Sequence, residues 1–115
     1  MTFQRVAALD ELPEAQAVGV VVDGVPLCLV RLGADVRAVH DICSHEQYDL
    51  HEGFVWGRAI ECALHGSTFD LETGQPDSLP AVRAIPTYAV RVDGAEVLVD
   101  VAMQLNDAPV PDHAS

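Results

Sequence analysis

The chain of 115 residues contains no lysine. Its six basic residues are all arginine, set against eighteen acids, for a net charge of −12. Nucleic-acid binding relies on a basic stripe that neutralises phosphates, so that class of partner is excluded. Long apolar runs are also missing. The most apolar stretch, residues 17–30, is broken by Asp23, Gly24 and Pro26, so no segment is read as crossing a membrane. The first thirteen residues reach Arg5, Asp10 and Glu11 without a continuous apolar core and do not read as a signal peptide. Cysteine is scarce and odd in number, three in all. That argues against a secreted disulfide scaffold and for a reducing compartment, with the cytoplasm as the expected location. No internal repeat or long linker divides the chain, and its length suits one domain with a core of its own.

What is present reads as strand. Strand candidates at 2–6, 17–22, 25–31, 36–40, 87–92 and 95–101, of which 17–22, 25–31 and 36–40 are rich in valine and leucine, with shorter ones at 54–56, 58–62 and 67–71, are separated by turn signals. Asp23-Gly24, Gly33-Ala34-Asp35 and Asp93-Gly94 are hairpin signals, 72–76 is a turn, and 9–13 is a helical turn. The expected fold is all-β: antiparallel sheets in a small β-sandwich, carrying a subdomain of two facing loops at about 41–80. Val20, Val22, Leu27, Leu29, Val39, Ile60, Phe69, Tyr88, Val90, Val97 and Val99 are the expected core. The domain spans 1–101, and 102–115, polar and with Pro109 and Pro111, is expected to be a loose tail.

The chemistry lies in four residues. Cys43 and His45 stand two apart, and sixteen residues separate His45 from Cys62, which stands three before His65. Residue frequencies make a chance match on the order of 10⁻⁴ to 10⁻³. Soft anionic thiolates with neutral imidazoles suit either one tetrahedral Zn²⁺ or a two-iron cluster with a split ligand set. Each pair lies just past a strand, so the two turns can meet like fingertips, with Gly53 and Gly66 allowing reversals. Between 41 and 77 eight acids (Asp41, Glu46, Asp49, Glu52, Glu61, Asp70, Glu72, Asp77) accompany Arg58 alone, concentrating −7 of the charge. This serves either solubility or docking to partners with basic surfaces. His40 reads as packed or half-exposed, His51 as a surface loop residue, His113 as solvated and Cys28 as a small buried apolar residue. Trp56 is expected to pack beside the loops.

The quartet resembles the Rieske [2Fe–2S] signature. Its flanks agree: His65-Gly66-Ser67-Thr68-Phe69-Asp70 followed by Thr73-Gly74, the run Leu79-Pro80-Ala81, and the early Leu9-Asp10-Glu11-Leu12-Pro13. The alternating Cys-His, Cys-His order differs from the pairings of classical zinc fingers. The resemblance implies one Rieske-type [2Fe–2S] cluster, with Cys43 and Cys62 on one iron and His45 and His65 on the other. Ser67 and Pro80 would lie just beyond the ligands. It further implies a one-electron carrier, not an enzyme. Its donor would be a flavin-dependent or iron–sulfur reductase. Its acceptor would be a terminal oxygenase, such as an aromatic-ring-hydroxylating dioxygenase, or another protein with a basic docking surface. Similar ferredoxins accompany iron–sulfur cluster assembly, which is a second possible role. A structural zinc site would also accommodate two Cys and two His. The last alternative is a Rieske-like accessory subunit of a reductase, of the kind that often lacks the cluster, and the intact quartet argues against it.

Three positions refine the subtype. Rieske proteins of cytochrome complexes carry a disulfide between the loops, but the matching positions here are Tyr48 and Leu64. Those proteins also supply serine and tyrosine hydroxyls to the cluster sulfurs. Ser67 keeps the first, whereas Phe69 stands at the tyrosine position with no hydroxyl to give. A lost sulfur hydrogen bond and the local acidity both lower the potential. The expected potential is roughly −150 to 0 mV, to be read by protein-film voltammetry; a value above about +150 mV would contradict it.

Overall fold

A computed structural model of the chain describes residues 3–42, 49–63, 66–76 and 84–108. Among the described residues nine strands form two antiparallel sheets. The larger takes the order β1-β9-β8-β4-β3-β2, from β1 (Gln4–Ala8), β2 (Ala17–Val22), β3 (Val25–Leu32), β4 (Asp35–His40), β8 (Thr87–Asp93) and β9 (Glu96–Gln104). It curls until the edges β1 and β2 approach, where Gln4 Nε2 donates to Asp23 Oδ2 at 2.6 Å, so the sheet is a nearly closed barrel. The smaller sheet is β5 (Phe54–Trp56), β6 (Ala59–Glu61) and β7 (Thr68–Asp70), in the order β5-β6-β7.

The all-β antiparallel expectation holds. Asp23 and Gly24 both take positive φ between the paired Val22 and Val25, as a two-residue type I′ hairpin requires. The last hairpin turns one residue later than expected, on Gly94-Ala95, because Asp93 pairs with Glu96. The helical turn is a 3-10 turn at Leu9–Glu11, whose Glu11 side chain accepts from the Ala8 N–H at 2.8 Å. Arg31 braces it by donating to the carbonyls of Leu9 and Leu12.

The core is double. One cluster fills the barrel with Leu27, Leu29, Val36, Ala38, Tyr88, Val97 and Val99 among others. The second lies between the barrel wall and the small sheet and contains Cys28, Val30, Val39, Leu50, Ile60, Cys62, Phe69, Leu71 and Ile85. Side chains alternate across a strand, so β3 sends Leu27 and Leu29 into the barrel and Cys28 and Val30 into the second core. Two covered faces explain its unbroken run Leu27-Cys28-Leu29-Val30. Each such side chain, fully buried, contributes roughly 1.5–3 kcal/mol for the larger apolar types. Of the expected core residues, Val20 and Val90 are only partly buried, and the rest are buried.

The tail expectation needs correction at its start. Strand β9 runs on to Gln104, which pairs with Tyr88 across a register shift, and Ala108 is buried. Polar side chains after Ala102 signal a tail only when nothing accepts them, and here Gln104 and Asn106 have partners. Residues 109–115 lie outside the described residues.

The return from the first loop into the small sheet depends on close approach. At Gly53 a Cβ would lie 1.9 Å from the Glu61 carbonyl oxygen and 3.1 Å from that of Leu50, although its φ of −90° suits any residue. Gly53→Ala is expected to cost about 1–3 kcal/mol through this overlap, lowering the urea midpoint. A midpoint equal to that of the wild type would contradict the steric reading.

Candidate metal centre

Of the quartet, Cys62 lies among the described residues; Cys43, His45 and His65 lie outside them, as do Tyr48, Leu64 and Pro80. No group of three or more His, Cys, Asp or Glu side chains converges among the described residues.

The second loop leaves β6 at Cys62 and rejoins β7 through Ser67. Its base is closed by backbone: Cys62 N–H donates to Ser67 O at 2.8 Å, and Gly66 N–H to Cys62 O at 2.9 Å. Gly66 has φ of +78°, a left-handed conformation that side chains resist, which answers the reversal expected there. Cys62 is buried and in no disulfide, and Ser67, five residues on and just before β7, is buried too. Phe69, at the position that lacks a hydroxyl, is fully buried in the core shared with Cys62. Asp70 shapes the following turn by accepting from Glu72 and Thr73 N–H groups at 2.7 and 3.0 Å.

The first loop is seen through its flanks. Ile42 bridges to Asp49, and Leu50 N–H donates to Asp41 O at 2.8 Å. Leu50 is buried in the cluster that holds Cys62, so both loops are rooted in one core. Pairing of Phe54 with Glu61 sets the exit of the first loop beside the entry to the second.

Sequence reasoning missed the lock at the base of the first loop. Asp41, only 3% exposed, accepts the His51 N–H through Oδ1 at 2.8 Å, and its Oδ2 pairs with His51 Nδ1. The imidazole lies against Gly19 of β2, where a Cβ would come within 2.6 Å of the ring. No periodicity ties two residues ten apart across a loop; only the fold reveals them. His51 is near the surface as expected, its side chain 31% exposed, and it is also a structural anchor. His40 is fully buried, its Nδ1 3.2 Å from the Tyr88 hydroxyl, so it is packed rather than half-exposed. Cys28 is buried as expected, and burial pushes its thiol pKa well up. Trp56 stands on the solvent side of β5 at 62% exposure, with Nε1 donating to Glu61 Oε1 at 2.9 Å; the loops it was expected to pack beside lie mostly outside the described residues.

Burial works against charge on His51, but the hydrogen bond to Asp41 and the charges of Asp41, Asp49 and Glu52 outweigh it. They hold its pKa above the ordinary 6.5. Burial likewise lifts the Asp41 carboxyl above the usual carboxylate range, with the His51 hydrogen bonds opposing. A histidine pKa raised by folding stabilises fully below the unfolded value and ceases to do so as pH rises through the folded one. The melting temperature is thus expected to fall as pH rises above the ordinary histidine pKa, with His51→Gln showing a smaller fall; the difference is up to about 1 kcal/mol. Equal slopes in the two proteins would contradict this.

A family model for the Rieske [2Fe-2S] domain matches residues 2–89. The ferredoxin component of the naphthalene 1,2-dioxygenase system of Pseudomonas aeruginosa is 37% identical over 95 residues, covering 83% of this chain and 91% of that protein. The ferredoxin of carbazole 1,9a-dioxygenase from Nocardioides aromaticivorans superposes with a TM-score of 0.84 at 40% identity, over 86% of this chain and 97% of that one. A chain from the complex of reduced oxygenase and oxidized ferredoxin in carbazole 1,9a-dioxygenase gives 0.80 at 33% identity, over 84% and 91%. Among the described residues no helix is long and apolar enough to cross a membrane. With the second core rooting both loops and the family match spanning both Cys-His pairs, this chain belongs to the Rieske [2Fe-2S] domain family and carries one Rieske-type cluster.

Proposed function

We propose that the chain is the ferredoxin of a dioxygenase system, carrying single electrons from a flavin-dependent or iron–sulfur reductase to a terminal oxygenase that attacks aromatic rings. The likeness to a naphthalene dioxygenase ferredoxin over 91% of that protein's length carries this reading. The net charge of −12 supports an acceptor with a basic docking surface, since opposite charge speeds encounter without demanding a lasting complex. The cytoplasm is the proposed location, in keeping with two described cysteines that are both unpaired.

The ligand reading follows the same line: Cys43 and Cys62 would hold one iron as thiolates, and His45 and His65 the other through ring nitrogens. The described donor fits. Cys62 offers a soft thiolate from a backbone pinned on both sides and is shut off from water by apolar neighbours. When bound, the cluster supplies a reversible one-electron change. Two thiolates rather than four leave the oxidised group neutral, and this places its potential above that of four-cysteine clusters. Ser67 is the described hydroxyl at the position that donates to sulfur in high-potential relatives, while Phe69 contributes only apolar bulk. As ligands through one ring nitrogen, His45 and His65 would each keep one N–H, which would be released more readily in the oxidised protein than in the reduced one, so the potential would fall once pH reached the oxidised-state pKa.

Reconstitution with the reductase and terminal oxygenase of a naphthalene dioxygenase system tests the function. Substrate oxidation should require this chain, and its absence with fully loaded protein would sink the reading. For the ligands, Cys62→Ser and His65→Ala should each abolish the visible absorption of the oxidised protein. The wild type should hold about two iron and two sulfide per chain. Zinc in a colourless protein, or an unchanged spectrum in the variants, would overturn the assignment.

A further inference from the structure

Beyond β9, the side chain of Asn106 reaches back to a junction far from it in sequence. A primary amide has two N–H groups to donate and two lone pairs to accept with. All four are used. Nδ2 donates to Thr73 O at 3.0 Å and Ile85 O at 2.9 Å, and Oδ1 accepts from Thr87 N–H and Gln104 Nε2, both at 3.2 Å. The orientation of the amide is fixed by its partners, with carbonyls at the nitrogen and N–H groups at the oxygen. Gly74 leaves the room for it. Its φ is +76°, and a Cβ there would stand 2.1 Å from Ile85 O and 2.8 Å from Asn106 Nδ2. The Ile85 N–H donates to Gly74 O at 2.9 Å, and Leu105 N–H donates to Thr87 O at 2.7 Å. A residue from the C-terminal end thus ties the turn after β7 to the entry of β8.

That junction leads to the metal centre through packing. Ile85 is fully buried in the cluster that contains Cys62 and Phe69, and Phe69 also bridges to Pro76. The family match ends at residue 89, so Asn106 is a feature of this chain outside the matched region. We propose that Asn106 is a positioning residue for the cluster: by cross-linking Thr73 and Ile85 it fixes the core wall against which Cys62 is held. This rests on Cys62 being a ligand. Aspartate would keep the acceptor but turn an oxygen toward two carbonyl oxygens, and leucine would keep the shape and offer no hydrogen bond at all.

The test uses the full chain loaded with cluster. Loading of the wild type is confirmed first by its visible spectrum, so a failure of the ligand reading shows itself before any variant is compared. Asn106→Asp and Asn106→Leu are then measured well below their melting temperatures, with Leu105→Ala, an exposed neighbour whose side chain makes none of these bonds, as the control. Bleaching of the cluster by an iron chelator should be about tenfold faster in both Asn106 variants. The reduction potential and the electron paramagnetic resonance spectrum of the reduced protein should shift, while the control stays near the wild type. A lower melting temperature with bleaching, potential and spectrum all unchanged would overturn the proposal. If the variants do not fold, amide exchange in the wild type decides. Slow exchange at Ile85 and Thr87, comparable to the middle of β8, supports the cross-link, and loop-like exchange there overturns it.

Discussion

Strand β3 is covered on both faces, and the rest of the molecule depends on that sharing. One face closes the barrel with Leu27 and Leu29, and the other gives Cys28 and Val30 to the core under the small sheet. A small sheet of three-residue strands is too short to stand alone in water. Here it borrows a finished wall. Leu50 and Cys62 are buried against that same wall, so the bases of the two loops are set by one body. A centre whose ligands come from both loops gains pre-organisation from this, because neither loop base has to be ordered when the metal binds.

Charge acts on a different scale from packing. Among the described arginines, Arg5 pairs with Glu96, Arg37 with Asp35 and Glu72, and Arg58 with Asp35. Arg31 is spent on carbonyls, and Arg91 lies 5.0 Å above the Phe3 ring. With the described cations engaged in this way, the excess of acids is left as an outward field. Such a field disfavours adding an electron to a nearby centre and attracts basic partners, so one composition sets both the potential and the encounter.

Much of this was legible in the sequence for a simple reason. Alternation of apolar residues and Asp-Gly turns are local signals, and they placed β2 and β5 to the residue and most other strands within two. The double core was visible only as the unbroken run Leu27-Cys28-Leu29-Val30. What escaped were contacts between segments far apart in the chain. Asp41 with His51, and Asn106 with Thr73 and Ile85, are single side chains meeting backbone, with no period to betray them. Strand β5 has one face on the core and turns Phe54 and Trp56 outward on the other, an exposure that side-chain size alone does not foretell. The four proposed ligands were recognised from spacing and residue type, which carry metal chemistry without any fold.

The near closure of the large sheet has a consequence for self-association. Strand β2, Ala-Val-Gly-Val-Val-Val, ends the sheet and carries no charge, with Val21 70% exposed. A free edge of that composition is a template on which other chains can build fibrils. In this molecule the edge is partly closed. Toward its C-terminal end it faces β1, the opposite edge of the same sheet, across the Gln4–Asp23 hydrogen bond. At Gly19 it lies under the ring of His51, which Asp41 holds in place. His51 thus covers one face of β2, whereas protection of its edge comes from β1 near the C-terminal end, so loosening the barrel seam would expose the chain to misassembly.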